Sequence, residues 1–348
     1  MKAFVALAPK KASFQEVDIP ELKSDEVLVK IKYAGICGTD FAIYSGESSF
    51  VKNGQIRYPV RFGHEWSGIV ERTGSEVSRF KPGDRVVGDN FIACGNCSSC
   101  LAGDFNSCTS KRSVGTIDCW NGCFAEYMVM PEKHLYHIPD KVKLIEAALM
   151  EPLSVAYGGI KKCDITPDSN VAVIGTGPIG MCAAALAKYK GAGHIVMIGR
   201  NSYKLNIARE IGADMIINTD IVDVGEKMLD LTNGRGADFV LEASGAHQNV
   251  MQSVSIAAQK GFISLLGFYE RKLYGFDIDL LVSKELRITG IMGEFGNMEA
   301  VNRIMLNYDF GLEPIITQKI AFDDCPAAFE GEAVSHGTRI KTMIVMTE

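Results

Sequence analysis

Residues 170–189 set the strongest limit on what this chain can fold into. The apolar run NVAVI passes directly into Gly175-Thr-Gly-Pro-Ile-Gly180, and that into MCAAALAKY, which is apolar at helical spacing. A lone G-x-G-x-x-G is a weak pattern; between a buried strand and a helix it predicts a dinucleotide-binding turn. Gly175 permits a tight turn, Gly177 lets the backbone approach a pyrophosphate, and Gly180 lets helix and strand pack closely. The helix N-terminus at Pro178 and Ile179 offers free N–H groups and the positive end of its dipole to the phosphates. A purely structural glycine turn is the plainer reading, and the segments that follow argue against it. HIVMIG, SYKLNIAREIG, MIINT, a helix near Val224–Leu231, DFVLEAS, a helix around Asn249–Ala258 and GFISLLG alternate strand with helix. That alternation is the pattern of an α/β fold, a doubly wound parallel sheet with helices on both faces.

The chain before this region reads differently. EVLVKIKYAGI, WSGIVERTG and DRVVGDNF are strands bounded by glycine and proline, so the part up to about Tyr136 is β-rich. IEAALMEPLSVAYGGIKK then reads as one helix. After Leu286 come a strand (RITGIMG), a helix over Met298–Asn307, a short strand and a last strand, KTMIVM. A chain of 348 residues suits two domains. We expect a β-rich catalytic domain over 1–152 with 294–348 returning to it, and a doubly wound cofactor domain over 153–293.

Composition excludes several partners. A net charge of −6 argues against a nucleic-acid or anionic-membrane surface. No apolar stretch reaches the roughly 20 residues of a membrane span, and the N-terminal MKAFVALAPKK has no signal-peptide pattern. Of ten cysteines, four fall within Cys94–Cys108 and the rest are scattered. That fits metal ligation plus free buried thiols in a reducing, cytoplasmic compartment better than a disulfide scaffold.

Cys94-Gly-Asn-Cys97-Ser-Ser-Cys100, completed by Cys108, is the most specific pattern in the chain. Two-residue gaps let one loop wrap thiolates around an ion, and four sulfurs leave no open position, so a structural Zn²⁺ is expected. An iron–sulfur cluster is the main rival. A second set lies elsewhere: Cys37 in GICGTD, His64 and Glu65 in RFGHEWSG, and Glu151 in LMEPLS. A thiolate, an imidazole and carboxylates suit a zinc with an exchangeable position. Each alone reads as a buried structural residue; their joint presence beside a cofactor fold lifts the case.

NAD sites place an acid at the end of the second strand to bind the ribose 2′-hydroxyl. Here that strand ends in Gly199-Arg200-Asn201-Ser202, with no acid. The missing carboxylate removes repulsion of a 2′-phosphate, and Arg200 can pair with one, which favours NADP over NAD.

The order C-G-T-D, G-H-E-x-x-G, four-cysteine loop, E-P and G-x-G-x-x-G resembles the zinc-containing medium-chain dehydrogenases over essentially the whole chain. E-P-L-S-V resembles the sorbitol dehydrogenase branch, which includes threonine, galactitol-phosphate and inositol-type enzymes. The resemblance implies a GroES-like catalytic domain, a homodimer or homotetramer, and a catalytic zinc held by Cys37, His64 and either Glu65 or Glu151. The other carboxylate then hydrogen-bonds the metal's water. It implies Lewis-acid activation of an alcohol and hydride transfer to the nicotinamide. Thr39 then matches the first member of the proton relay, and Asp40 the acid that orients the ligating histidine. The same matching sets Asn201 and Lys204 near the adenosine and Lys341 on the pyrophosphate. It sets Ser244, Gly245 and Gly267 near the nicotinamide half.

Where the resemblance breaks, the substrate is affected. Ala42 stands where many relatives carry a relay histidine. Gly293 and Glu294 replace an Arg-Tyr pair near the substrate, and Glu294 suits an amino group or hydroxyls. Arg61, and less so Arg57, suits an acidic or phosphorylated one instead. The expectation is a zinc-dependent, NAD(P)-linked dehydrogenase of a polyol, cyclitol or sugar. Its rivals are an amino-alcohol or amino-cyclitol enzyme, a simple secondary-alcohol enzyme, and a zinc-stabilised nucleotide sensor without turnover.

Overall fold

The computed structural model describes residues 1–331 and 337–346. Its two main sheets follow from two kinds of strand. The strand Glu26–Ile36 is buried along most of its length and forms the centre of a mixed seven-stranded sheet. It pairs antiparallel with Glu65–Thr73 on one side and with Tyr127–Pro131 and Lys341–Val345 on the other. Ile316–Ala321 lies parallel to Lys341–Val345 at the edge, so the last strands of the chain complete the sheet begun by the first third. Phe62 sits at the centre of its core, 5.1 Å from the Phe124 and Phe329 rings; pairs at this spacing add to the area they bury.

The second sheet has six parallel strands. Their order is Met215–Asn218, His194–Gly199, Asn170–Ile174, Ala237–Glu242, Ala257–Leu265, Arg287–Gly290. The strand Asn170–Ile174 is buried at every position, as a strand with helices on both faces must be. Strand order reverses between it and Ala237–Glu242, which opens a crevice at their carboxyl ends. The glycine turn lies at that point and leads into the helix Pro178–Tyr189.

Sequence and structure differ in instructive places. The single helix expected over 145–162 is two, Leu144–Ala147 and Met150–Ile160. Pro152 explains the break: it has no N–H, and its ring clashes with the carbonyl four residues back, in Ala148. DRVVGDNF is likewise divided into Arg85–Gly88 and Phe91–Ile92: the Asp89 N–H still donates to the His134 carbonyl at 2.9 Å, in register with the Gly88–Leu135 pair, whereas Phe91 and Ile92 turn to a different partner, Arg112–Ser113. A helix with no apolar periodicity, Gly38–Ser45, follows Cys37. It starts there because the Asp40 carboxylate accepts from the Cys37 N–H at 2.8 Å, a capping interaction.

The glycines of the turn separate two costs. A Cβ on Gly180 would stand 1.9 Å from the Gly175 carbonyl oxygen, whereas one on Gly177 meets nothing within 4 Å. We therefore predict that Gly180→Ala destabilises the fold by about 1–3 kcal/mol in urea unfolding. Gly177→Ala will leave unfolding unchanged and weaken only dinucleotide binding, read by titration. Equal unfolding midpoints for the two variants would refute this division.

Candidate active site

Cys37, His64 and Glu65 come from two neighbouring chain segments, the start of helix Gly38–Ser45 and the start of strand Glu65–Thr73. Their ligand atoms all lie within 4.8 Å of one another. Asp40, fully buried, ties the segments together: it accepts from the Cys37 N–H at 2.8 Å and the Gly63 N–H at 3.2 Å. Its Oδ1 also lies 3.5 Å from His64 Nδ1. Burial opposes the charged imidazole, but Asp40 and Cys37 outweigh it and hold the His64 pKa well above its usual value. Thr39 Oγ1 stands 3.7 Å from Cys37 Sγ. A compact soft and hard donor set of this kind fits Zn²⁺.

The fourth candidate, Glu151, lies outside that cluster but faces it. The Asn90 amide donates to its Oε1 at 2.6 Å. Burial pushes its carboxyl up to about 7, with His64 opposing and Glu65 reinforcing the shift. Asn90 was not legible as a site residue, since no motif marks it. The glycine-loop helix adjoins this group of charges: the Cys182 thiol, in its second turn, is buried and feels Lys341, Glu65 and Glu151.

Lys341, matched by sequence to a pyrophosphate contact, has a carboxylate as its partner within the protein. It is only 1 % exposed and its ammonium donates to both oxygens of Glu65, at 2.7 and 2.6 Å, and to the Ile36 carbonyl at 3.1 Å. Its charge is spent on Glu65 rather than on a pyrophosphate. Asn201 is engaged as the cap of helix Ser202–Ile211, its Oδ1 accepting from the Lys204 N–H at 3.1 Å. Glu294 is held by Lys161 at 2.5 Å and Lys162 at 3.5 Å, lining a small cavity with Asn90 and Glu151. Arg61 is buried, and desolvation holds its pKa down to about 10, with the neighbouring Cys119 and Cys123 opposing the shift. Its Nε and one terminal nitrogen have no hydrogen-bond partner among the described residues.

Other cofactor candidates lie at the crevice. Gly175 has φ +110° and abuts Ala243 and Ser244, so the turn needs glycine there. Pro178 is at the first helical position and Gly177 precedes it as the cap. Ile179 is partly buried and packs on the cofactor-side core. Ser244 is organised by Glu242, a fully buried carboxylate that accepts from its N–H at 2.9 Å and from Tyr269 at 2.5 Å. A Cβ on Gly267 would stand 3.2 Å from the Gly245 Cα, so the two glycines lie close together. Arg200 is exposed at the end of His194–Gly199.

Cys94, Cys97, Cys100 and Cys108 form a second set of sulfurs within 4.8 Å of one another. The Cys94 and Cys100 sulfurs are 3.9 Å apart, far from the roughly 2.05 Å of a disulfide. Hydrogen bonds from the Cys100 backbone and thiol lower the Cys97 pKa to about 6, which favours the thiolate that a metal needs.

A phosphate-binding turn at the switch point of a doubly wound sheet, with a thiolate–imidazole–carboxylate cluster beside its helix, defines a metal-dependent, nicotinamide-linked oxidoreductase. Comparison with known proteins agrees. Residues 23–140 match the alcohol dehydrogenase GroES-like domain, and residues 178–306 match the zinc-binding dehydrogenase domain. The chain is 35 % identical to L-threonine 3-dehydrogenase of Bacillus velezensis, over 92 % of this chain and 91 % of the relative. It is 31 % identical to sorbitol dehydrogenase of Halalkalibacterium halodurans, covering 99 % of each. Among solved structures, a zinc-binding dehydrogenase from Sinorhizobium meliloti bound to NADP superposes with a TM-score of 0.89 at 30 % identity, over 99 % of this chain and 98 % of that one. The chain belongs to the zinc-binding alcohol dehydrogenase family, and it is an enzyme using zinc and a nicotinamide cofactor.

The buried pair gives a test on stability alone. Glu65→Gln leaves the Lys341 ammonium buried without a counter-charge, which costs about 3–5 kcal/mol. Urea unfolding of metal-free protein will show that loss, and the double variant E65Q/K341M will recover most of it. A loss below about 1 kcal/mol in the single variant would mean that the pair is not an anchor.

Proposed function

We propose that this enzyme reversibly oxidises a secondary alcohol of a polyol, cyclitol or sugar, with NADP preferred over NAD as hydride acceptor. The convergence of Cys37, His64 and Glu65 beside the glycine-loop helix carries the reading. In this reading two zinc ions are bound per chain. One is held in a closed set by Cys94, Cys97, Cys100 and Cys108. The other is held by Cys37, His64 and a carboxylate; Glu65 lies in the cluster, and Glu151 stands ready from the helix Met150–Ile160. Zinc bound there supplies a Lewis acid that makes the alcohol hydroxyl more acidic.

The chain's own residues do the rest. Asp40 fixes the orientation of His64 and the Cys37 backbone. Thr39, close to Cys37, takes the hydroxyl proton. With Ala42 in place of a relay histidine, that proton leaves through the cofactor ribose or water. Arg200 and Lys204, with no acid at the end of the second strand, favour a 2′-phosphate, and the relative that binds NADP supports this. The Glu65–Lys341 pair keeps the last strand against the metal cluster. We further place the domain division at 1–152 with 294–348 and at 153–293. The pairing of Lys341–Val345 with Glu26–Ile36 supports it, although helix Asn297–Met305 packs on the cofactor-side core. A cytoplasmic homodimer or homotetramer completes the proposal.

Similarity to threonine 3-dehydrogenase favours a second reading, an amino-alcohol substrate. Glu294 does not serve it, because Lys161 and Lys162 already neutralise its carboxylate.

Initial rates with zinc-replete protein on polyols, inositols, amino-cyclitols, sugar phosphates, threonine and simple secondary alcohols, each with NAD⁺ and NADP⁺, test the whole reading. A hydroxyl-rich substrate with NADP⁺ should give the highest kcat/KM. Arg200→Ala should then lower kcat/KM for NADP⁺ by about tenfold or more and leave NAD⁺ unaffected. A wild-type preference for NAD⁺, or for threonine, would overturn the corresponding part.

Metal analysis separates the two zinc sites. Cys97→Ser and Cys37→Ser should each reduce zinc from two per chain to one. Only the first should lower the melting temperature markedly; only the second should abolish turnover while leaving the fold intact. One zinc per chain in the wild type would sink the two-site assignment.

A further inference from the structure

Because Lys341 is paired with Glu65, a side-chain cation that joins the glycine-turn helix in binding the cofactor's pyrophosphate has to be sought elsewhere in the fold. Arg339, two residues earlier, stands in the right place. Ile340 between them is buried in the cofactor-side core, and its N–H donates to Thr317 Oγ1 at 2.8 Å, which fixes the backbone just before the last strand. The Arg339 guanidinium lies 4.6 Å from the centre of the Phe41 ring. Phe41 belongs to the helix Gly38–Ser45, whose cap is the metal-cluster residue Cys37. On its other side the same segment meets the adenosine end of the crevice: a Cβ on Gly337 would be 3.4 Å from Asn201 Nδ2. Arg339 is also the one charged group that, together with desolvation, lowers the Lys204 pKa.

The residue thus spans the interval between the site that reads the adenosine ribose and the metal cluster, which is where the pyrophosphate of a bound dinucleotide lies. The manner of its anchoring matters. Among the described residues no carboxylate lies within ion-pair distance of Arg339. Stacking on Phe41 holds the guanidinium without cancelling its charge. Arg339 is half-buried, and the cost of desolvating its charge is one that an anion beside it would relieve. A planar guanidinium can pair with two phosphate oxygens at once, which an ammonium cannot.

We propose that Arg339 is the pyrophosphate-binding residue of the cofactor site, held across the crevice by Phe41 and opposed by the N-terminus of helix Pro178–Tyr189. The inference rests on the dinucleotide reading of the glycine turn and adds a binding residue that no sequence motif marks. It assigns Arg339 to the part shared by NAD and NADP, in contrast to Arg200, to which the proposed function gives only the 2′-phosphate.

The test is equilibrium binding, read by cofactor fluorescence or calorimetry with no alcohol present. The ligands are NADPH, NADH, ADP-ribose, 2′-AMP and adenosine. Arg339→Ala should weaken NADPH, NADH and ADP-ribose alike, by about tenfold or more, and leave 2′-AMP and adenosine unchanged. Zinc content and melting temperature should be those of the wild type. Arg339→Lys, which keeps the charge but not the fork, should recover part of the loss, and Phe41→Leu should reproduce a smaller version of it.

Unchanged affinity for all three pyrophosphate ligands would overturn the proposal. So would a loss confined to NADPH and 2′-AMP, since Arg339 would then read the 2′-phosphate. A loss accompanied by lower zinc content or melting temperature that lysine does not rescue would assign Arg339 to folding and overturn it as well. If the wild type binds none of the dinucleotides, the cofactor reading itself fails; normal wild-type binding with an inert R339A sinks only the role of Arg339.

Discussion

The buried contact between Lys341 and Glu65 joins the last strand to the first third of the chain at the point where the metal candidates lie. Removing two charges from water costs several kcal/mol per ion, and an apolar pair of the same volume often matches a buried ion pair in stability. The pair's value here lies in where it holds things. Lys341 opens the last strand and Glu65 opens the strand after His64, and both flank Glu26–Ile36, which ends at the Cys37 segment. With the third donation going to the Ile36 carbonyl, one ammonium touches both segments that carry the metal candidates. A register slip of the last strand by one residue would reverse its faces and strand the Glu65 carboxylate in the core.

Asp40 does the same work on a smaller scale. Its two oxygens collect the N–H groups of Cys37 and Gly63 and lie beside His64. The helix Gly38–Ser45 therefore begins where it does because of the site, not because of its own propensity. Apolar periodicity could not reveal it; the C-G-T-D motif could. The cofactor domain is the opposite case. Its strands follow from short continuous apolar runs and its helices from apolar residues at helical spacing, and the helices Pro178–Tyr189 and Val224–Leu231 have the bounds that the sequence implies.

What stayed hidden follows one rule. The four cysteines, the glycine turn and the Cys37–His64–Glu65 set were legible because short spacings or fixed motifs enforce them. Asn90, Glu242 with Tyr269, and Arg339 were not, since each depends on a partner far along the chain: Glu151 for Asn90, and Phe41 for Arg339. Matching residues to a family also leaves out what stands beside each charge. Lys341 was aligned with a pyrophosphate contact and Glu294 with a substrate contact, yet both meet opposite charges within the protein. A motif fixes which residue stands at a position; whether its charge remains free depends on what the fold sets beside it.

The cysteine loop shows how a structural element can bear on a distant carboxylate. Its base is fixed by His134, whose Nε2 accepts from the Ala93 N–H at 3.3 Å and whose Nδ1 lies 3.0 Å from Asp89. The first of these requires the imidazole proton on Nδ1, so it donates to Asp89, which also accepts from the Tyr136 hydroxyl. The next residue, Asn90, donates to Glu151. From the other side Asn106 of the loop accepts from the Phe295 N–H at 2.9 Å, and the Phe295 ring packs on Phe105, Phe91 and His134. The loop is thus clamped at both ends onto the residues that line the cavity beside Glu151. In the proposed two-zinc reading, closing four sulfurs on one ion would order this clamp without offering an open coordination position and would leave reactivity to the other cluster.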